Sequence, residues 1–321
     1  MKKRRSVLRR IFASALTVAM VGTMLPATAL AAETKEASKG IIAQFDFDDE
    51  AGGFTGGGAK ASGTYELKDS YDGAGKALYL NGSSQFLSVT KEDGSSLLTG
   101  LKEMTVSFEM KSDRTATNWP FYAAPSTVAQ PIGGNGKEIY FGLLVNGGNI
   151  TAERYLNGRS NCAASAMNSG WSHVAVVVSS ADTAIYIDGV EKSRVASANA
   201  LSGILGDSSI LQIGKANWGN GEYCKGWIDN MTIYDHALNT EELQAAVPAA
   251  YKTIALDAAV KAVAEVTISD SKAALPDYDG TVTWKSDMKE IVIAENGISA
   301  VVTQPAKGEA ALKGELTAVV T

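Results

Sequence analysis

Long stretches of this chain carry apolar side chains at every second position, the period of a strand with one buried face. Ile41–Asp48 puts Ala43, Phe45 and Phe47 on one side. Lys76–Gly82 and Gln85–Thr90 read as a hairpin, and residues 139–155 as a second. Met104–Ser112 aligns Met104, Val106, Phe108 and Met110. Residues 171–180 and 183–195 form a third hairpin, turning at Asp188-Gly189, and residues 209–216 and 226–234 follow as strands. Asn-Gly and Asp-Gly pairs, among them Asn81-Gly82 and Asn146-Gly147, punctuate these runs as tight turns. Three stretches read as loops: "TATNWPFYAAP", "GRSNCAAS" and "ANWGNGEYCKG". The pattern predicts an all-β sandwich or jelly roll over residues 39–247. One short helix is expected at Thr240–Ala246, with Asn239 as its cap, Glu242 as the reciprocal partner and Pro248 beyond its end.

The last strand of this module raises a question. Strict alternation over 226–234 places Trp227, Asp229, Met231 and Ile233 on one face. Trp227 and Trp171 then belong to the core, and Asp229 is a carboxylate among apolar neighbours. Such a group needs a partner, because burying it unpaired is expensive.

After Pro248 the pattern changes. Residues 248–265 read as a linker or a helix. Residues 266–321 alternate again, with Val282 and Trp284, Ile291 and Ile293, and Ile298 and Val301 marking short strands. This predicts a second, smaller β-sandwich.

The N-terminus is an address. Six basic residues within Met1–Arg10 precede an apolar run to about Leu25, then "PATALAA". This is the pattern of a secretory signal peptide, residues 1–32, cleaved near Ala31 or Ala32. Its loss takes Lys+Arg from 29 to 23 against 35 Asp+Glu, a net charge near −12. Such a surface does not favour nucleic acid or anionic membranes. It fits a secreted or cell-surface protein with neutral partners. Cys162 and Cys224 are the only cysteines, and an even pair in an exported chain predicts a disulfide.

"YDGAGKALYLNGSSQFLSV", "MTVSFEMKS", "GWSHVAVVVSSADTAIYIDGVEKSR", "LQIGKANW" and "KGWIDNMTIYDHALNTEEL" occur in an order that resembles a concanavalin A-like, laminin-G-like jelly roll. "TVTWKSD", "ENGIS" and Gln304-Pro305 resemble an atypical bacterial immunoglobulin-like domain. The first family hosts lectins, hydrolases and scaffolds alike, so it implies a fold rather than a ligand. It also implies a structural calcium, with Asp229 on the last strand and Asp48 from the first as carboxylates. The alternative is that Asp229 accepts backbone N–H groups and pins a loop. Similar bacterial proteins place these two modules ahead of a glycoside hydrolase domain acting on arabinose-containing polysaccharides, so the chain is expected to be the N-terminal part of such a protein.

The candidate chemistry within the chain is sparse. The paired carboxylates of the glucanases on this fold, Glu-x-Asp-x-x-Glu, do not occur. Asp46 and Asp48 share a face of the first strand and are read as solvated. His173 is read as structural, since no nucleophile partner is evident. Glycan binding needs aromatic platforms. Trp218 and Trp119, in glycine- and asparagine-rich loops, are the first candidates. Tyr155 and Tyr223 follow, with Tyr122, and Asn217, Asn220 and Arg154 as hydrogen-bonding neighbours. The expected function is noncatalytic carbohydrate binding, with a polysaccharide as partner and the immunoglobulin-like module as spacer. The competing readings are a hydrolase whose catalytic domain follows residue 321, and an adhesion module that binds protein.

Overall fold

The computed structural model describes residues 40–251 except 49–52, 72, 114–116, 134–137, 166, 168–169, 221 and 249–250, and outside that span residues 17–20 and short stretches between 267 and 320. The rest of residues 1–32, expected as a leader, most of residues 248–265, expected as a linker or a helix, and Ile298 lie outside the described residues. The chain divides into two compact units, Pro26–Lys252 and, together, Met1–Leu25 with Thr253–Thr321.

In the smaller unit, β1 (Thr17–Met20) lies parallel to β23 (Glu315–Val320), which pairs antiparallel with β20 (Val282–Ser286). A second sheet runs in the order β18 (Thr267–Ser269), β19 (Lys272–Ala274), β22 (Ser299–Val302), β21 (Ile291–Ile293).

The larger unit is a two-sheet sandwich. One sheet has the order β12 (Arg159–Ala164), β11 (Asn149–Tyr155), β10 (Tyr140–Asn146), β9 (Asn118–Pro125), β16 (Ser209–Ile213), β7 (Phe86–Lys91), β4 (Ala59–Thr64), β3 (Phe54–Gly56). The other has β15 (Val190–Ala196), β14 (Asp182–Ile187), β13 (Ser172–Val178), β8 (Met104–Ser112), β17 (Lys225–Tyr234), β6 (Lys76–Asn81), β5 (Glu66–Asp69), with β2 (Ile41–Phe45) also paired to β17. All these pairings are antiparallel, and the inward residues of both sheets, such as Phe45, Phe108, Phe121, Phe141 and Val176, fill one core. The all-β expectation holds. Helix α1 (Leu201–Leu205) is an addition that the alternation did not show, and α2 (Thr240–Ala246) carries the expected capping box between Asn239 and Glu242.

Two strands replace expected loops. β9 contains Pro120, which has no N–H for a ladder and argues against a central strand. The register against β10 shifts just there, between Leu143↔Phe121 and Val145↔Asn118, so the proline falls at an irregularity and costs no ladder bond. β12 holds "RSNCAA", a polar edge strand that pairs only with β11.

The disulfide expectation is overturned. Cys162 and Cys224 are both buried, and no disulfide joins them. Cys162 lies on edge strand β12, with its thiol 3.4 Å from Ser193 Oγ on β15. The Cys224 amide bonds Gly214 O, just past β16. β12 and β16 are four strand spacings apart, ~19 Å, far beyond disulfide reach. The sheets are instead tied by Arg154. Its guanidinium, fully buried, donates to the carbonyls of Asn199, Ser179 and Asp182 and to Thr183 Oγ1, crossing from β11 to the β13–β14 turn. Arg154 is therefore a staple and not a ligand donor.

β17 also departs from strict alternation. Its pairing with β8 shifts between Asp229 and Thr232, and Asn230 takes φ 44° in the left-handed region. Beyond this bulge the faces exchange. Ile228, Met231 and Ile233 enter the core, while Trp227, Asp229, Thr232 and Tyr234 face outward. Trp227 is a part-exposed outer-face residue, and the carboxylate of Asp229 leaves the apolar core.

Candidate functional site

The outward face of the β12–β3 sheet collects the loop aromatics. Asn118 starts β9: its Oδ1 accepts the Lys225 amide at 2.7 Å and its Nδ2 donates to Ser112 Oγ. That anchors Trp119 over β10, where Gly142 makes room. A Cβ on Gly142 would lie 2.6 Å from Trp119 Cζ3. Tyr122 sits opposite Gly142, and Tyr140 and Tyr155 follow on β10 and β11. The loop after β16 then lays Trp218 on Trp119, rings 4.9 Å apart and 27° from parallel. The Ile132 amide donates to Asn217 O at 2.5 Å and fixes that loop. Tyr140 meets Trp218 edge-on at 5.2 Å and Tyr155 at 5.5 Å. Such stacked and edge-to-face contacts follow the ring quadrupoles.

The cluster is closed at its base and open at its rim. Trp119 is 3 % exposed and Tyr122 and Tyr140 are fully buried, whereas Trp218 and Tyr155 are part-exposed. Carboxylates run through it. Tyr140 OH donates to Glu153 Oε2 at 2.6 Å, Asn161 Nδ2 to Glu153 Oε1 at 3.3 Å, and Trp119 Nε1 to Glu222 Oε2 at 2.5 Å. Arg159 lies 3.7 Å from Glu153 and over the Tyr155 ring. Among the described residues several buried polar side-chain atoms have no hydrogen-bond partner, and Tyr122 OH and Glu138 Oε2 are the ones that belong to this cluster's base. Burial first, and the Glu138 charge second, push the Tyr122 phenol well above its ordinary range. Burial and the bond to Glu153 do the same to Tyr140. Both phenols stay protonated and can donate. Unpaired buried polar atoms are rare enough to need a reason.

Trp218, Trp119, Tyr155 and Asn217 are thus brought together, although Asn217 acts through its main chain. Tyr223 is not part of the cluster; its ring packs 6.2 Å from Phe86, with Lys215 over both. Sequence reasoning missed Tyr140, Glu138, Glu153, Arg159 and Gly142. Tyr140 and Glu153 fall in a hairpin that was recognised, and their outward parity was the available signal.

The proposed calcium ligands meet a different feature, the turn Ser70–Gly75 between β5 and β6. Asp229, 1 % exposed, accepts the Ser70 hydroxyl and the Asn230 amide. Asp48, at the other end of the turn, accepts the Lys76 amide. Among the described residues no three His, Cys, Asp or Glu side chains are grouped to hold a metal. Calcium takes six to eight oxygens, so two carboxylates here would need main-chain carbonyls of the turn as well.

On the same outer face, β13, β8 and β17 align His173, Glu109 and Asp229 in one buried row. His173 Nε2 lies 2.9 Å from Ser107 Oγ, and Tyr251 packs 5.9 Å from its ring. Burial lowers the His173 pKa to about 4, so the ring is neutral at pH 7. The sequence showed no hydroxyl partner for this ring; the structure supplies Ser107, from the neighbouring strand β8.

Residues 81–244 match the concanavalin A-like lectin/glucanases superfamily, and the chain belongs to that family. No curated protein sequence matches it. Among solved structures it is similar to domain 4 of AbnA, an extracellular GH43 arabinanase from Geobacillus stearothermophilus, in complex with arabinotriose: 21 % identity, TM-score 0.49, covering 65 % of this chain and 98 % of that one. It is also similar to the CBM40 of the Ruminococcus gnavus IT-sialidase bound to α2,3-sialyllactose, at 17 % identity and TM-score 0.46, covering 54 % and 96 %. A third is the binding domain of botulinum neurotoxin DC in complex with SialylT, at 14 % identity and TM-score 0.47; the match covers 68 % of this chain and 52 % of that domain.

Proposed function

We propose that this chain is an exported, noncatalytic carbohydrate-binding module whose smaller unit is an immunoglobulin-like spacer. The observation that carries the reading is the aromatic cluster with unsatisfied polar atoms at its base. Part-exposed Trp218 and Tyr155 offer ring faces for the C–H face of a sugar. Glu153, Asn161 and Arg159 stand beside them to take and give hydrogen bonds at hydroxyls. Carboxylates accept only, and sugar hydroxyls donate, so the cluster suits neutral, hydroxyl-rich chains. Arabinan and other neutral plant polysaccharides are the proposed partners, with a downstream catalytic domain as the beneficiary.

The test is calorimetric titration of the purified protein with neutral oligosaccharides, arabinotriose included. Binding abolished by Trp218→Ala, with the melting temperature held, supports the reading. No binding to any neutral glycan would sink it and leave a protein-binding module. Structural calcium at Asp48 and Asp229 is proposed with it. A melting temperature several degrees higher with calcium than with chelator is expected; an unchanged one means that the two carboxylates serve only to pin the turn.

A further inference from the structure

The opposite outer face carries a second aromatic platform with the opposite charge. Strands β5, β6, β17 and β8 bring Glu66, Tyr79, Trp227 and Lys111 into one cross-strand row. Lys68, two residues beyond Glu66, shares the face. The bulge in β17 leaves Trp227 outside, where its ring lies 4.8 Å from that of Tyr79. Both rings are part-exposed. Lys68 Nζ stands 3.1 Å from the Tyr79 centroid and 5.6 Å from that of Trp227, and Lys111 Nζ is 4.8 Å from Trp227 on the other side. An aromatic pair is therefore flanked by two ammonium groups.

These lysines make few ion pairs among the described residues. Lys68 has one carboxylate nearby, Glu66 at 3.7 Å, and both side chains are well exposed, so the pair holds the lysine weakly. Lys111 has no ion pair among the described residues. This happens on a protein with 35 acidic and 29 basic residues. Lysine stems do cover apolar rings on many surfaces. Covering explains their methylenes; it leaves unexplained two ammoniums over one aromatic pair whose one ion pair among the described residues is the exposed Lys68–Glu66 contact.

We propose that Lys68, Tyr79, Lys111 and Trp227 form a second binding site, for glycans bearing carboxylates, namely uronate-containing chains. The sugar ring lies on Trp227 and Tyr79, and its carboxylate is held by the two ammoniums once they swing off the rings. The site is independent of the aromatic cluster on the other sheet and requires no part of it.

Calorimetry on the full chain with trigalacturonate, and with a neutral trisaccharide as counterpart, tests this. Trigalacturonate binding is expected to weaken by about tenfold or more in the Lys68→Ala/Lys111→Ala double variant, and several-fold between about 50 and about 300 mM salt. Trp227→Ala should abolish it, and Trp218→Ala should leave it intact. The double lysine variant keeps the test valid if Trp227→Ala does not fold. Absence of trigalacturonate binding overturns the proposal, as does binding indifferent to the two lysines, or loss in Trp218→Ala. Neutral glycan binding lost only in Trp218→Ala bears on the other face alone, so the two readings fail separately.

Discussion

The two outer faces of the sandwich are built by the same alternation yet end as different surfaces. On one, Trp119, Tyr122, Tyr140, Tyr155 and Trp218 pack against one another under loops, with Glu138, Glu153 and Glu222 among them. On the other, Tyr79 and Trp227 lie side by side between Lys68 and Lys111, next to a sealed row of Asp229, Glu109 and His173. The strand period delivers side chains to a face in both cases. Loops and the β17 bulge decide whether aromatics close into a cluster or stay flat, and the charged neighbours differ between the two faces. A family that hosts many ligands on one scaffold works in this way.

The comparison can be broken most completely at the residue that joins the sheets. Arg154→Met leaves several buried carbonyls unpaired and should cost about 3 kcal/mol or more in urea unfolding, disturbing both faces. The next test touches the lysine-bearing sheet alone. His173 is held neutral with a pKa near 4, against 6.5 in the unfolded chain. The unfolded state therefore binds the proton more tightly. Stability is intact above about pH 6.5, falls as pH drops toward about 4, and loses at most ~3 kcal/mol by this route. His173→Gln should flatten that limb of the pH–stability curve.

Gly142→Ala strikes only the cluster. The new Cβ collides with Trp119, so a cost of about 1–3 kcal/mol is expected, with loss of neutral glycan binding and no change in trigalacturonate binding. Removing both lysines should cost least, below about 1 kcal/mol, since exposed cation–π contacts are weak. A larger loss in thermal unfolding would mean that Lys68 and Lys111 are structural covers, and the two faces would then differ less than described.

Part of the site was legible in the sequence. Trp119 and Trp218 stood out because large aromatics in glycine- and asparagine-rich stretches have no strand core to fill. Tyr155 was visible for the same reason. Tyr223 looked equivalent and is not, because its ring turns to Phe86. Glu138 and Glu153 were invisible: a carboxylate on an outward position reads as solvated unless the loop that buries it is known. Asp229 was singled out for the right property, burial with partners, but on the wrong face, since one residue of bulge inverts parity.

By itself the sequence determined the all-β class, the positions of most strands and turns, and the capped helix at Thr240–Ala246, because period, glycine chemistry and capping act between residues close along the chain. The tertiary structure alone decided which strands are neighbours. That order separates Cys162 from Cys224, turns the proline-bearing 118–125 stretch into a central strand, and places Trp227 between two lysines. These are contacts between residues tens to more than a hundred positions apart, which no local period encodes.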